Sequence, residues 1–267
     1  MVFDPLQGTR ELDNPMRQSK TEVIRKRISN DLTGHAKTGE IMQKSLFMAL
    51  ASTLFASPYF YHLLRLSATP AISTAGMTIY GFLAMELFLL FLLSLLCAAV
   101  GFSFAGRRAL PGFGKWSVFV KDLPWLFLLG MALITLSILF FDLRFHEISP
   151  SSYPTDLIYL VTFPLKGALT EEIILRLGLV TIGAGLFRHR AAGVVLAAIL
   201  SVFFSMKYFQ FIGVNLPMTG IILPHILVTA TANLILGYLF ITRGLIHAMS
   251  LNFLLKLKYT IMICVIG

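Results

Sequence analysis

The sequence predicts an all-α fold: a polytopic membrane helix bundle of about seven transmembrane helices, with about six to eight as the range. Three observations carry it. Of 267 residues, 57% are hydrophobic and only 13% charged, against about 25% charged in ordinary soluble domains. Mean hydropathy is +0.80. Apolar runs of about 20 residues, the length that crosses a bilayer as a helix, recur from residue 46 to the end.

Residues 1–45 are polar and mixed in charge, with Arg25-Lys26-Arg27 beside Glu22 and Asp31. They contain no apolar core of the kind a cleavable signal peptide carries, and read as a cytoplasmic tail with a short amphipathic helix near Val23–Leu32. Residues 46–156 read as N-terminal transmembrane helices, and 157–267 as the core that carries the site. The predicted spans are 46–67, 76–105, 123–141, 157–187, 191–212, 219–242 and 244–266. Lys and Arg accumulate in cytoplasmic loops. Arg25-Lys26-Arg27, the Arg107–Lys121 loop, Arg188-His189-Arg190 and Arg243 fall on one side under this alternation, while the opposite connections hold little charge: Arg65 in one, and Asp142, Arg144 and Glu147 in another. This places the N-terminus in the cytoplasm of a multi-pass protein of a bacterial inner membrane. The net charge of +9 is accounted for by such loops. No basic stripe with interleaved aromatics points to nucleic acid, and the expected partner is the lipid bilayer. Cys97 and Cys264 lie in apolar runs and suggest neither a disulfide framework nor a cysteine metal site.

The fourth span stands apart. Pro164-Leu-Lys-Gly-Ala-Leu-Thr-Glu171-Glu172-Ile-Ile-Leu-Arg176 places two carboxylates and a guanidinium in an apolar segment. Each charge at the centre of a spanning helix costs roughly 2.5–3.5 kcal/mol on insertion scales, so the group is expected to do something. Glu172 and Arg176, four apart, share a face and can pair. Glu171 points about 100° away, without a local cation, toward a cavity. The bland alternative, a buried ion pair that pins two helices, explains Glu172 and Arg176 but not Glu171. Counted at 1.5 Å per residue from the nearest basic loop, Glu172, Lys207 and His225 lie at roughly 24, 26 and 27 Å, and Asn233 and Asn252 at roughly 15 and 14 Å. The expectation is that Lys207 pairs with Glu171, and that both glutamates line a polar cavity between the last four spans, open toward the basic-loop, cytoplasmic side. Each has a plainer alternative: Lys207 reaching the far interface, His225 capping its span after Pro224, the asparagines bonding between helices. Gly178, Gly183, Ala184 and Gly185 are expected to admit a neighbouring helix.

Glu171-Glu172-x-x-x-Arg176, after a Pro and small residues, resembles the first motif of the CPBP intramembrane proteases, the family of CAAX-prenyl proteases and bacteriocin-processing relatives. The resemblance covers 157–267, including Gly237-Tyr-Leu-Phe-Ile-Thr-Arg243-Gly244-Leu, which is similar to the turn into that family's last helix. It implies an intramembrane endopeptidase in which a glutamate activates water against a peptide bond of a membrane-associated protein or peptide, prenylated in part of the family. The other motifs depart from the pattern. Phe203-Phe-Ser-Met-Lys207 stands where Phe-x-x-x-His is expected. Counting from Gly244 places Asn252 at the last histidine and Lys256 at its polar partner, while His247 is an alternative match offset by five. The implied catalytic set is therefore Glu171, Glu172, Arg176, Lys207 and Asn252. A divalent metal follows from the resemblance alone, since the residues supply few of the nitrogens a zinc site uses. The alternatives are a catalytically impaired member that binds or regulates a membrane partner, and a transporter, for which no inverted repeat is visible.

Overall fold

The computed structural model describes residues 38–62, 64, 78–107, 110–149, 153, 156–211 and 218–266. Among them every regular element is helical and no strand occurs. The chain divides into two units, Met1–Met42 and Gln43–Gly267. Of the first only 38–42 are described, and the helix expected near Val23–Leu32 lies outside the described residues.

Helix α1 covers 38–62 and α2 Ile79–Arg107. Helix α3, Trp116–Ser137, runs through a π turn at Ile138–Asp142 into α4, Leu143–Ile148. Helix α5, Leu157–Lys166, is followed by π segments at Gly167–Glu171 and Ile173–Val180 and by α6, Thr181–Leu186. Helix α7 is Arg190–Phe211; a π turn at Met218–Ile222 opens α8, Leu223–Thr242; α9 is Leu245–Lys256 and α10 Lys258–Ile266.

Among the described residues four stretches are long and apolar enough to cross a membrane: Ile79–Ala105, Trp116–Ile148, Arg190–Lys207 and Gly220–Arg243. The other three expected spans are helical over their described residues except for a bend at Phe187, a start at Gly244 with positive φ, and a turn at Leu257; one is described from 38, and one carries the charges of 157–186. One boundary is corrected. Asp142, expected in a connection, belongs to a helical run that continues to Ile148, and its side chain is buried.

The wall and the centre of the bundle divide by chemistry. Phe47, Leu54, Phe88, Leu96, Leu128 and Ile199 lie exposed on the outside, as suits side chains with lipid for solvent. Leu126, Ile173, Leu177, Phe240 and Leu251 form the core between helices. Small residues set the closest approaches. A Cβ on Gly178 would meet Cys97 Sγ at 2.8 Å, and one on Gly183 would meet the Gly193 Cα at 2.8 Å, whereas Gly185 faces open space. Two of the three expected glycines are thus close approaches, and at the third a Cβ would find room. Gly193 is the tightest, its missing Cβ falling on the Val180 carbonyl oxygen and 2.7 Å from the Ala184 nitrogen. Backbone cannot move aside as a side chain can. Gly193→Ala is therefore expected to lower stability by about 1–3 kcal/mol, despite the roughly 1 kcal/mol that Ala gains over Gly in a helix, while Gly185→Ala lowers nothing. Thermal melts of the two variants in detergent make the comparison.

At the basic-loop end the chain is clasped. The first turn of α9 has amide donors with no partner within the helix. The 110–115 loop supplies acceptors, with Leu245 N–H donating to Gly112 O at 2.9 Å and Ile246 N–H to Phe113 O at 3.1 Å. The two segments touch through Gly114 (φ +93°) and Gly244 (φ +107°): a Cβ on Gly114 would strike the Arg243 carbonyl oxygen, and one on Gly244 the Gly114 backbone. Both the dihedrals and the approach require glycine.

Candidate active site

Glu172 and Arg176 are fully buried and form the expected pair, Arg176 Nε lying 3.4 Å from Glu172 Oε2. Two asparagines from other helices complete the network. Arg176 Nη2 donates to Asn233 Oδ1 at 2.8 Å, and Asn233 Nδ2 in turn donates to the Thr229 carbonyl at 2.8 Å. Asn252 Nδ2 donates to Glu172 Oε1 at 2.8 Å and to Gly167 O at 3.1 Å. Among the described residues Arg176 Nε and Nη1 have no hydrogen-bond acceptor of good geometry. Three helices are thus tied to one buried guanidinium–carboxylate pair.

Glu171 turns to a different surface, as expected, but not without a cation. Lys166 Nζ donates to its Oε1 at 3.2 Å, Lys256 Nζ lies 3.1 Å from Oε2, and Asn252 Nδ2 lies 3.5 Å from Oε2. The π turn explains the first contact. Five residues on an α-helix put two side chains about 140° apart. A turn closed by i→i+5 bonds brings the fifth residue back beneath the first. Gly167 explains the second, since a Cβ there would come within 2.9 Å of the Lys256 stem. Behind Glu171, Thr170 is fixed by Ser52 (2.9 Å), itself bonded to Ser94 (3.2 Å).

A second ionic centre repeats the device. Across the π turn of the third span, Ser137 Oγ donates to Asp142 Oδ2 at 2.6 Å. Lys258 Nζ donates to Asp142 Oδ1 and Oδ2 at 2.9 and 3.0 Å and to Ser137 Oγ at 2.9 Å. Tyr153 OH donates to Asp142 Oδ1 at 2.7 Å. Burial, with the Asp142 carboxylate second, pushes the Tyr153 phenol far above its ordinary range, so it remains a donor. The break at Leu257 directs Lys256 to one carboxylate and Lys258 to the other. Aromatic rings join the centres: Lys166 lies over Tyr59 (5.2 Å), Lys256 over Phe163 (5.1 Å) and Lys258 over Tyr259 (5.3 Å), with Phe163 and Tyr259 edge to face at 4.8 Å.

Both centres border one cavity of about 1420 Å³. Glu171, Lys166, Asn233, Asn252 and Lys256 stand on its wall, whereas Glu172 and Arg176 lie behind it. The cavity extends past Ser137 and His225 to Arg144 and Gly220, at the helix ends remote from the basic loops. This corrects one expectation: of the two glutamates only Glu171 faces the cavity. Walls from α1 and α3 also make it more than a space between the last four spans.

Compared with protein-family models, curated proteins and solved structures, the chain matches none.

Of the expected site residues, Glu171, Glu172, Arg176 and Asn252 meet. Lys207 does not join them. It is exposed on α7 with its ammonium over its own Phe203 ring at 5.8 Å, and the Glu171 carboxylate is taken by Lys166 and Lys256. Similar depth on two helices says nothing about the direction in which a side chain points. The histidines are elsewhere. His225 Nε2 is 2.7 Å from Ser205 Oγ, its ring against Phe141, and His247 is buried 3.3 Å from Asp122 with Phe119 edge-on. Among the described residues no three His, Cys, Asp or Glu side chains converge to hold a metal. Two ammonium groups on the one cavity-facing carboxylate do not fit a divalent cation either. Lys166, Lys258 and Asp142 were not expected in the site. Lys256 was legible only as the position counted from Gly244.

Proposed function

We propose that this chain is an intramembrane endopeptidase of the CPBP type, in which Glu171 activates water without a metal. One observation carries the reading: a carboxylate on the wall of a large cavity has two ammonium groups and an amide within 3.5 Å. A base and donors for a developing oxyanion are the minimum that peptide hydrolysis needs. Water gives a proton to Glu171 as its oxygen attacks the peptide carbonyl, and negative charge passes from the carboxylate to the carbonyl oxygen. The ammonium groups of Lys166 and Lys256, which neutralise Glu171 beforehand, are then beside the new anion. On collapse the protonated Glu171 delivers its proton to the departing amine. Asn252 ties the Glu171 turn to the Glu172–Arg176 network, which serves as scaffold. With the basic loops cytoplasmic, residues 1–45 lie in the cytoplasm of a bacterial cell and the Arg144 end of the cavity lies toward the outer face of its inner membrane.

Purified protein in liposomes is expected to cleave at least one member of a panel of membrane-anchored and prenylated peptides, and Glu171→Gln to lose about 10²–10⁴-fold in rate and to lower the melt, since Lys166 and Lys256 lose their carboxylate. Cleavage that survives Glu171→Gln would overturn the assignment.

A second reading is favoured by the same lysines, because a doubly ion-paired carboxylate is a weak base, and because the hydrogen bonds and ion pairs of Glu171 include neither His225 nor His247. It is that of an impaired family member that binds a membrane partner. Absence of cleavage across the panel, by wild type and variant alike, decides for it.

A further inference from the structure

The cavity wall is unequal in charge. Lys166, Lys256, Lys258 and Arg144 line it, and the carboxylates that answer them are Glu171, shared between two lysines, and Asp142. Glu172 and Arg176, behind the wall, cancel each other. Among the described residues Arg144 has no carboxylate within ion-pair distance; its guanidinium reaches only the Gly220 carbonyl, at 3.4 Å. Two positive charges are left over in a space lined mainly by apolar groups.

The rim is unequal in the opposite sense. Leu136 and Phe140 of the third span, Phe204 of α7, and Leu223 and Leu227 of α8 line the cavity, and each is also more than 45% exposed. Arg144, on the same lining, is exposed as well. Exposed apolar side chains sharing a cavity with an unanswered cation suit a molecule with an apolar chain and an anionic head.

We propose that this cavity binds an anionic lipid taken from the bilayer, its carboxylate or phosphate received by Arg144 and its chain lying along Leu136, Phe140, Phe204, Leu223 and Leu227. Arg144 belongs to the third span and not to the Glu171 turn, so the assignment stands whether or not the chain hydrolyses peptides. A lipid rather than a peptide is indicated because five of the seven exposed side chains on the lining are apolar, Arg144 and Thr231 being the others; each unsatisfied backbone group in hydrocarbon is costly.

Purified full-length protein in a neutral detergent, titrated with oleate, dioleoyl phosphatidate, oleyl alcohol or an apolar peptide with a free C-terminal carboxylate, tests this by the ligand-dependent rise in melting temperature. Oleate or phosphatidate is expected to stabilise the protein saturably, and which of them does so identifies the head group. The alcohol is expected to have at least about tenfold lower affinity, since hydrogen bonds to charged groups are the stronger kind. Arg144→Gln should weaken the anionic lipid by about tenfold without moving the ligand-free melt. Leu227→Trp, at the exposed rim, should block binding of either lipid, and it carries the test if Arg144→Gln lowers the ligand-free melt. Equal binding of the alcohol and the acid, unchanged binding by the variants, or binding of the peptide alone would overturn the assignment.

Discussion

Arg176→Met is expected to cost about 3–5 kcal/mol of unfolding free energy, the usual result of removing one partner of a buried ion pair. Arg176 and Glu172 have no exposed surface. Without the guanidinium, Glu172 keeps one donor, the Asn252 amide at 2.8 Å, and must carry its charge uncompensated or take up a proton. Asn233, which accepts from Arg176 at 2.8 Å, loses a partner as well. The double variant Arg176→Met with Glu172→Gln is expected to recover most of the loss, because a neutral amide can accept from Asn252 without a charge to bury. Denaturant unfolding in detergent of the two single variants and the double supplies the cycle. If the single effects add within about 0.5 kcal/mol, Glu172 and Arg176 are not coupled and the description of the network is wrong.

The second large effect is expected at Asp142→Leu, again about 3–5 kcal/mol. One buried carboxylate there accepts from Ser137, Tyr153 and Lys258, all within 3.0 Å. The substitution leaves a mostly buried ammonium, a phenol and a hydroxyl to find other acceptors. Adding Lys258→Met should return part of the loss but not all, since Tyr153 still lacks its acceptor. The residual deficit after the double change measures the phenol. Adding Tyr153→Phe should then remove it, and a triple variant no more stable than the double would refute that partition. Near-ultraviolet circular dichroism reports whether the rings around Tyr153, packed against Phe145, His146 and Tyr259, keep their arrangement.

The helical bundle was legible because a bilayer imposes a length, and runs of apolar residues of that length can be counted. The Glu171–Arg176 group was legible because charges in such a run are costly, and Asn252 because Gly244 fixes a start from which to count. What stayed hidden has a physical reason in each case. Lys166 stands five residues before Glu171, a spacing that an ordinary α-helix places on another side. Asp142 follows Phe140-Phe141 at the end of an apolar run and reads as the start of a loop, yet the helix continues because Ser137, Tyr153 and Lys258 satisfy it from three directions. Lys207 matched in depth and failed in azimuth, a coordinate that position along a helix does not contain.

A helix with a π turn is the same rod with one residue more than its length needs. The surplus is absorbed within the turn, so the segments before and after keep their phase. Loss of a single residue between Gly167 and Glu171 would restore an α turn and leave Lys166 facing the glutamate, now at a spacing of four. The same loss in the middle of α8 would swing everything beyond it by about 100°. Length variation is therefore permitted at the two ionic centres and forbidden through much of the bundle between them. Any comparison of this chain with another by fixed spacing will slip at those turns, where the chemistry sits.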